Sequence, residues 1–238
     1  MSSRQALIDL KGVSFGYPGS KLILDKLDLT LNSGDRIGLL GPNGSGKTTL
    51  FHIIMGLLKP IEGKIEILGK PAQTQKDFRE VYKKVGLLFQ DADDQLFSPT
   101  VLEDVAFGPL NLGKSKQDAV RIAEKTLDYL GLSGFEHRIT HKLSGGEKRL
   151  VSLAAVLAME PEVLLMDEPS TGLDDPTKRK LTEVLNHLDL SYILISHESE
   201  FMAGITHSMY MMENGKIRTD IDMRYYIHAH PHTCHQHF

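Results

Sequence analysis

The chain has 238 residues, 41% of them hydrophobic and 24% charged, enough to bury a sizeable core as one large domain or two small ones. Its formal net charge of −4 removes any global electrostatic case for nucleic acid or an anionic membrane surface. A single cysteine, Cys234, excludes an intrachain disulfide framework and fits a reducing compartment.

Taken in order, residues Met1 to Gln5 lead into no long apolar stretch, so no secretory signal is expected. No window approaches the roughly 18 uncharged apolar residues of a membrane span. Ala6 to Phe15 and Leu22 to Leu31 alternate apolar and polar residues, with a turn at Gly16-Tyr17-Pro18-Gly19. Ile37 to Leu40 reads as a short buried strand. A glycine-rich loop and a helix over Thr48 to Leu57 follow, then strands at Gly63 to Leu68 and Lys84 to Phe89. From Val101 to about Ala158 the pattern is helical. Gln117 to Leu130 places Val120, Ala123, Leu127 and Leu130 on one face, and Glu147 to Met159 forms a second helix. Alternation then returns with a strand at Val163 to Met166, a helix at Pro176 to Leu188 and a strand at Ser191 to Ser196. Thr206 to Met212 and Gly215 to Arg218 suggest a closing hairpin around Asn214-Gly215. The whole reads as an α/β core interrupted by a helical insert at about Asp91 to His141.

Gly41-Pro42-Asn43-Gly44-Ser45-Gly46-Lys47-Thr48, followed by Thr49, fits the phosphate-loop pattern of eight positions between a buried strand and a helix. Glycines let the backbone wrap tightly with its N–H groups inward, and the helix N-terminus adds its dipole. Lys47 is expected to reach the β- and γ-phosphates, and Thr48 to set its hydroxyl on Mg²⁺. Val163 to Met166 then delivers two acids, Asp167 and Glu168, to the end of an apolar strand. A buried strand has no use for carboxylates, so the pair suggests a site. Asp167 suits Mg²⁺ and Glu168 suits a general base that polarises water.

Leu143-Ser144-Gly145-Gly146-Glu147 lies shortly before that acid strand. With it, the chain resembles the ABC ATPases over about residues 5 to 220, a P-loop NTPase fold with an antiparallel β subdomain and a helical subdomain. The resemblance implies ATP and Mg²⁺ as ligands and ATP hydrolysis as the reaction. It places Tyr17 against adenine and Gln90 at a loop that senses Mg²⁺ and the membrane partner. Ser144, Gly145 and Gly146 would close over the γ-phosphate of an opposite subunit. Asp174 would link the two sites, and His197 would contact the γ-phosphate. The bland alternatives are that Tyr17 is a surface turn residue and His197 a satisfied strand-end histidine. Some positions depart from the commonest family pattern: Glu147 stands for Gln, Asp175 for Pro (with Pro176 one later), and Ser196-His197-Glu198 for Thr-His-Asp. None removes a catalytic group.

Phe89 to Phe97, Ser98 to Val101 and Glu103 to Gly113 look like the ATPases of energy-coupling-factor importers, especially those for cobalt and nickel. Leu96, Phe97 and Phe107 could also be simple core residues. The resemblance implies a second ATPase subunit, a transmembrane coupling subunit, a substrate-binding membrane subunit and a peripheral place on the cytoplasmic face of the membrane. Nucleic acid is not expected. Too little chain follows Arg218 for the extra C-terminal domain of many such ATPases, which leans towards the metal importers. A vitamin importer of the same type, a soluble ABC ATPase and a metal-storage module are the alternatives.

Residues 221–238 form a tail in which His228, His230, His232, Cys234, His235 and His237 fall close together. Imidazole and thiolate suit Ni²⁺, Co²⁺, copper and Zn²⁺. The spacing matches no fixed zinc module, so a flexible metal site, a solvated tail and an artificial extension all remain open.

Overall fold

The computed structural model describes residues 5–219. It opens with β1 (Ala6–Phe15), β2 (Leu24–Asn32), β3 (Arg36–Leu40), α1 (Lys47–Ile54), β4 (Glu62–Ile67), β5 (Lys70–Pro71), α2 (Gln75–Val81) and β6 (Val85–Leu88). Three helices follow: α3 (Val101–Asn111), α4 (Lys116–Tyr129) and α5 (Gly145–Leu157). The chain then runs through β7 (Val163–Asp167), α6 (Asp175–His187), β8 (Ser191–Ile195) and α7 (Ser199–Ala203), and ends in β9 (Ser208–Glu213) and β10 (Lys216–Arg218).

These strands make two sheets. One is antiparallel, in the order β2-β1-β4-β5; the other has the order β10-β9-β3-β8-β7-β6. In the second sheet, β3, β6, β7, β8 and β9 run parallel and only β10 turns back. Its strands β6, β7 and β8 are mostly apolar and buried because both faces are covered, whereas β9 and β10 at one edge carry exposed polar residues. On β7, Leu164 and Met166 join a core with α3, α4 and α5, whereas Val163 and Leu165 join a core with α1 and the antiparallel sheet. The same period of two splits Tyr192 and Leu194 from Ile193 and Ile195 on β8. This is the ABC ATPase architecture that the sequence implied.

The closing hairpin turns at Asn214 and Gly215, both with positive φ (50° and 73°), as a tight two-residue turn demands. Other limits differ from the sequence reading. The first helix ends at Ile54 rather than Leu57, because Gly56 takes a φ of 65°. A Cβ there would lie 2.4 Å from the Phe78 ring. The long helical stretch breaks between α4 and α5, where Gly131 and Gly134 have positive φ and Thr100 bridges Ile139. On α4 the fully buried stripe is Ala119, Ala123 and Leu127, followed by Leu130, so Val120 lies at its edge. The sequence reading missed β5, α2 and α7. Helix α2 buries only Phe78 and Val81 and is announced instead by a capping box between Thr74 and Asp77. No helix among the described residues is long and apolar enough to cross a membrane.

Candidate functional site

Parallel strands in register bring their C-terminal ends to one edge. Leu39 of β3 and Asp167 of β7 both pair with Ile195 of β8, and Met166 pairs with Leu88 of β6. The loop 41–46 leaves β3, Gln90 follows β6, Glu168 follows β7 and His197 follows β8. A cavity of about 650 Å³ opens where they meet, lined by Tyr17, Lys47, Thr48, Gln90, Glu168 and His197 among others. Asn43, Gly44, Gly46, Thr49 and Asp167 also line it.

The glycines of the loop are required by shape. A Cβ on Gly41, whose φ is 149°, would sit 2.3 Å from the Met212 carbonyl oxygen. One on Gly46, at φ 102°, would sit 2.7 Å from the Ile23 side chain. Gly46 is also the N-cap of α1 and provides no side-chain cap, so the first N–H groups of the helix remain available to an anion. Lys47 is buried, and its ammonium donates to the carbonyl oxygens of Gly41 (2.8 Å) and Pro42 (3.1 Å). Burial pushes its pKa down, while Glu168 and Asp167 pull it back up. Ser45 Oγ is buried without a partner.

Thr48 Oγ1 donates to Asp167 Oδ2 at 2.7 Å. Glu168, 6% exposed, adopts a positive φ of 49° at the strand end. Its backbone N–H donates to the Ile195 carbonyl, and its Oε2 accepts from Thr171 Oγ1 (3.1 Å) and the His197 N–H (3.3 Å). Oε1 has no hydrogen-bond partner, although His197 Nε2 stands 3.3 Å from it, outside hydrogen-bond geometry. Burial raises the Glu168 carboxyl pKa, opposed chiefly by His197. The buried edge therefore presents one carboxylate with an open oxygen beside a cradle of N–H groups, an arrangement suited to polarising water next to a bound phosphate.

The residues Ser144, Gly145 and Gly146 do not line this cavity. Ser144 caps α5 in a reciprocal box with Glu147: its hydroxyl accepts from the Glu147 N–H (3.3 Å), and Glu147 Oε2 accepts from the Ser144 N–H (2.8 Å). Those hydrogen bonds hold the Glu147 carboxyl below its usual range, with Arg138 at 2.9 Å adding to the effect. Glu at this position thus acts as a cap, as Gln does in a capping box. Asp174 caps α6 by accepting from the Thr177 N–H. Tyr17 is partly exposed and meets Phe15 edge-on at 5.1 Å. Leu96 is half-buried, whereas Phe97 and Phe107 are exposed and pack edge-to-face at 4.7 Å, so neither is a core residue. The tail residues His228, His230, His232, Cys234, His235 and His237 lie outside the described residues.

Two residues that the sequence reading passed over order the site. Buried Arg149 of α5 donates to the carbonyls of Phe89, Gln90 and Glu168. Buried Asp104 of α3 accepts from the N–H groups of Phe97 and Ser98 and from the Thr140 hydroxyl, which fixes the loop that exposes Phe97. A charged residue among the apolar positions of a helix was the available signal for Asp104; Arg149 left none, because its acceptors lie far along the chain.

The family model described as ABC transporter matches residues 24–171. Among curated relatives, an energy-coupling factor transporter ATP-binding protein EcfA of Methanocaldococcus jannaschii is 41% identical, covering 89% of this chain and 77% of its own. The protein of that name from Methanothermobacter thermautotrophicus is 39% identical, covering 89% of this chain and 69% of its own. Among solved structures, cbiO1 of Clostridium perfringens, described as part of the ABC transporter complex cbiONQ, superposes with a TM-score of 0.81. It shares 30% identity and covers 90% of this chain and 87% of its own. The ATP-binding cassette MJ0796, a dimer bound to ADP and Pi after hydrolysis, gives a TM-score of 0.80 at 25% identity, over 89% of this chain and 98% of its own.

Proposed function

This chain belongs to the ABC transporter family as an ATP-binding ATPase coupled to transport, and we propose that it powers an energy-coupling-factor type importer for cobalt or nickel ions. The observation that carries the catalytic part of this reading is the convergence of Lys47, Thr48, Gln90, Asp167, Glu168 and His197 on one cavity.

In this reading the loop Gly41 to Lys47 wraps the phosphates of ATP, with Thr49 beside it, and Tyr17 stacks on adenine. Mg²⁺ fits the donor set, because the Thr48 hydroxyl and the Asp167 carboxylate are hard oxygens already within hydrogen-bond reach of each other and the Gln90 amide lines the same cavity. Those three residues would hold it, and the bound ion neutralises charge on the phosphates. Glu168 takes a proton from water, whose oxygen bonds to the γ-phosphorus as the bond to the β–γ bridging oxygen breaks, giving ADP and phosphate. His197 stands by to hydrogen-bond the γ-phosphoryl oxygens. Ser144, Gly145 and Gly146 complete the site of a second ATPase subunit, and Asp174 links the two sites. ATP, binding the closed pair better than the open one, draws the subunits together.

The exposed Phe97–Phe107 pair supports a docking role for this segment beside a transmembrane coupling subunit that serves a substrate-binding membrane subunit. Its place is then peripheral, on the cytoplasmic face of the membrane. The metal substrate rests on the sequence resemblance and on the chemistry of the tail imidazoles and thiolate.

Uptake of labelled Ni²⁺ and Co²⁺ by cells carrying the whole transporter tests this. Replacing Glu168→Gln is expected to reduce uptake at least about tenfold, a loss of about 1.4 kcal/mol or more of barrier lowering. Equal metal uptake by both would overturn the metal assignment and move the vitamin alternative forward.

A further inference from the structure

Arg149 lies in the first turns of α5, two residues after Glu147. Its side chain is among the few buried charges of the described residues, 4% exposed. A buried guanidinium must find acceptors for its N–H groups, since leaving them unpaired is costly. It finds them in main-chain carbonyls of two separate segments. Nη1 donates to Phe89, and Nη2 donates to Gln90 at 2.6 Å and to Glu168 at 2.9 Å. Gln90 and Glu168 belong to loops after different strands, β6 and β7. The planar fork of a guanidinium can reach both at once, whereas an ammonium on a flexible stem cannot match that geometry. Burial opposes its charge, while Asp167, Asp91 and Glu168 favour it.

A second tie runs beside the first. Gln95 accepts from the Phe89 N–H at 3.2 Å and donates to the Ser152 carbonyl of α5 at 3.2 Å. The segment from Phe89 to Gln95 is thus bound to α5 at both ends, and of these two side chains Arg149 alone also reaches Glu168, whose carbonyl accepts from the Thr171 N–H (3.2 Å) as well. The Glu168 backbone is unusual in its own right, with a positive φ that a β-region strand end does not supply. The carbonyl clasp holds the peptide on the far side of that residue.

We propose that Arg149 is a positioning residue for hydrolysis: it fixes the backbone of Glu168 to the Gln90 loop, so that a shift of that loop moves the carboxylate with it. This rests on the assignment of Glu168 as the group that activates water. Arg149 does not line the cavity; it acts through where it holds Glu168 and Gln90.

The test uses the purified full chain with ATP and Mg²⁺, in wild type, Arg149→Lys, Arg149→Gln, Glu168→Gln and the double variant Arg149→Lys/Glu168→Gln. Affinity for a fluorescent ATP analogue, kcat and KM are measured, with thermal midpoints as a record of folding. Arg149→Lys is expected to lower kcat at least about tenfold while nucleotide affinity stays within about twofold. In the Glu168→Gln background the same change is expected to lower the residual rate by less than about twofold, because groups that act as a unit are not additive. A merely structural arginine would lower the rate by the same factor in both backgrounds, and that result overturns the proposal. So does a wild-type kcat in Arg149→Lys while Glu168→Gln is slow. If instead Glu168→Gln itself turns over at the wild-type rate, the assignment of Glu168 is what fails. Should the lysine variant not fold, Arg149→Gln, which buries no charge, is read by the same criteria.

Discussion

Glu168 shows most plainly how a single residue is prepared by its surroundings. Its carboxyl is nearly buried, one oxygen is held by Thr171 and the His197 N–H, and the other has no hydrogen-bond partner, with His197 Nε2 3.3 Å away. Burial lifts its pKa above the ordinary 4.5. A raised acid pKa means that the native state keeps a proton over a pH window in which the unfolded chain has lost it. Stability therefore falls as pH rises from 4.5 through the raised value, and stays lower above it. Glu168→Gln removes that charge and its cost. The variant is expected to be the more stable at pH 7.5 and to lose its advantage below pH 4.5, as followed by denaturant midpoints at both pH values. Equal midpoints at pH 7.5 would count against the burial account. The carboxylate pair and the phosphate loop were legible because strand, glycines and acids are local in sequence. Arg149 was not, because its acceptors lie 59 and 60 residues before it and 19 after it, and no periodicity records a helix side chain meeting distant carbonyls.

At the scale of elements, the segment between β6 and α3 is built to present a surface. Thr100 and Glu103 form a capping box that starts α3, and Asp104 in its first turn ties down the N–H groups of Phe97 and Ser98. Phe97 is left 66% exposed and Phe107 45%, and the two rings pack edge-to-face on each other. Apolar surface of this kind, with a rigid support behind it, suits contact with another protein. Phe97→Asp is expected to change unfolding free energy by no more than about 0.5 kcal/mol, as exposed substitutions do, yet to cut transport by the whole assembly at least about fivefold. Native uptake with the variant incorporated into the assembly would remove this surface from the docking account. Sequence could not decide between core and surface here, since a phenylalanine at helical spacing serves either. The elements it missed and the limit it misjudged have separate physical causes. Helix α2 and strand β5 bury too little apolar area to leave a pattern, and α1 stops where Gly56 must yield space to Phe78, a contact 22 residues away that no local window contains.

Across the whole molecule, two cores clamp one parallel sheet, and the sheet's edge collects the groups that face ATP. The fold class was legible because the doubly covered strands β6, β7 and β8 read as near-continuous apolar runs, unlike the alternating β1 and β2. The tip of α5, with Ser144 and Gly145 exposed, stands outside the cavity that the same chain forms, which is why the account gives it to the site of a second subunit. The most direct trial of the central claim, that this cavity hydrolyses ATP through Glu168, is a single-turnover measurement on the purified chain with γ-labelled ATP and Mg²⁺. The account predicts that Glu168→Gln binds ATP within about twofold of wild type and cleaves it at least about a hundredfold more slowly, a barrier difference of about 2.7 kcal/mol. Cleavage at the wild-type rate by a variant that binds ATP normally would contradict it.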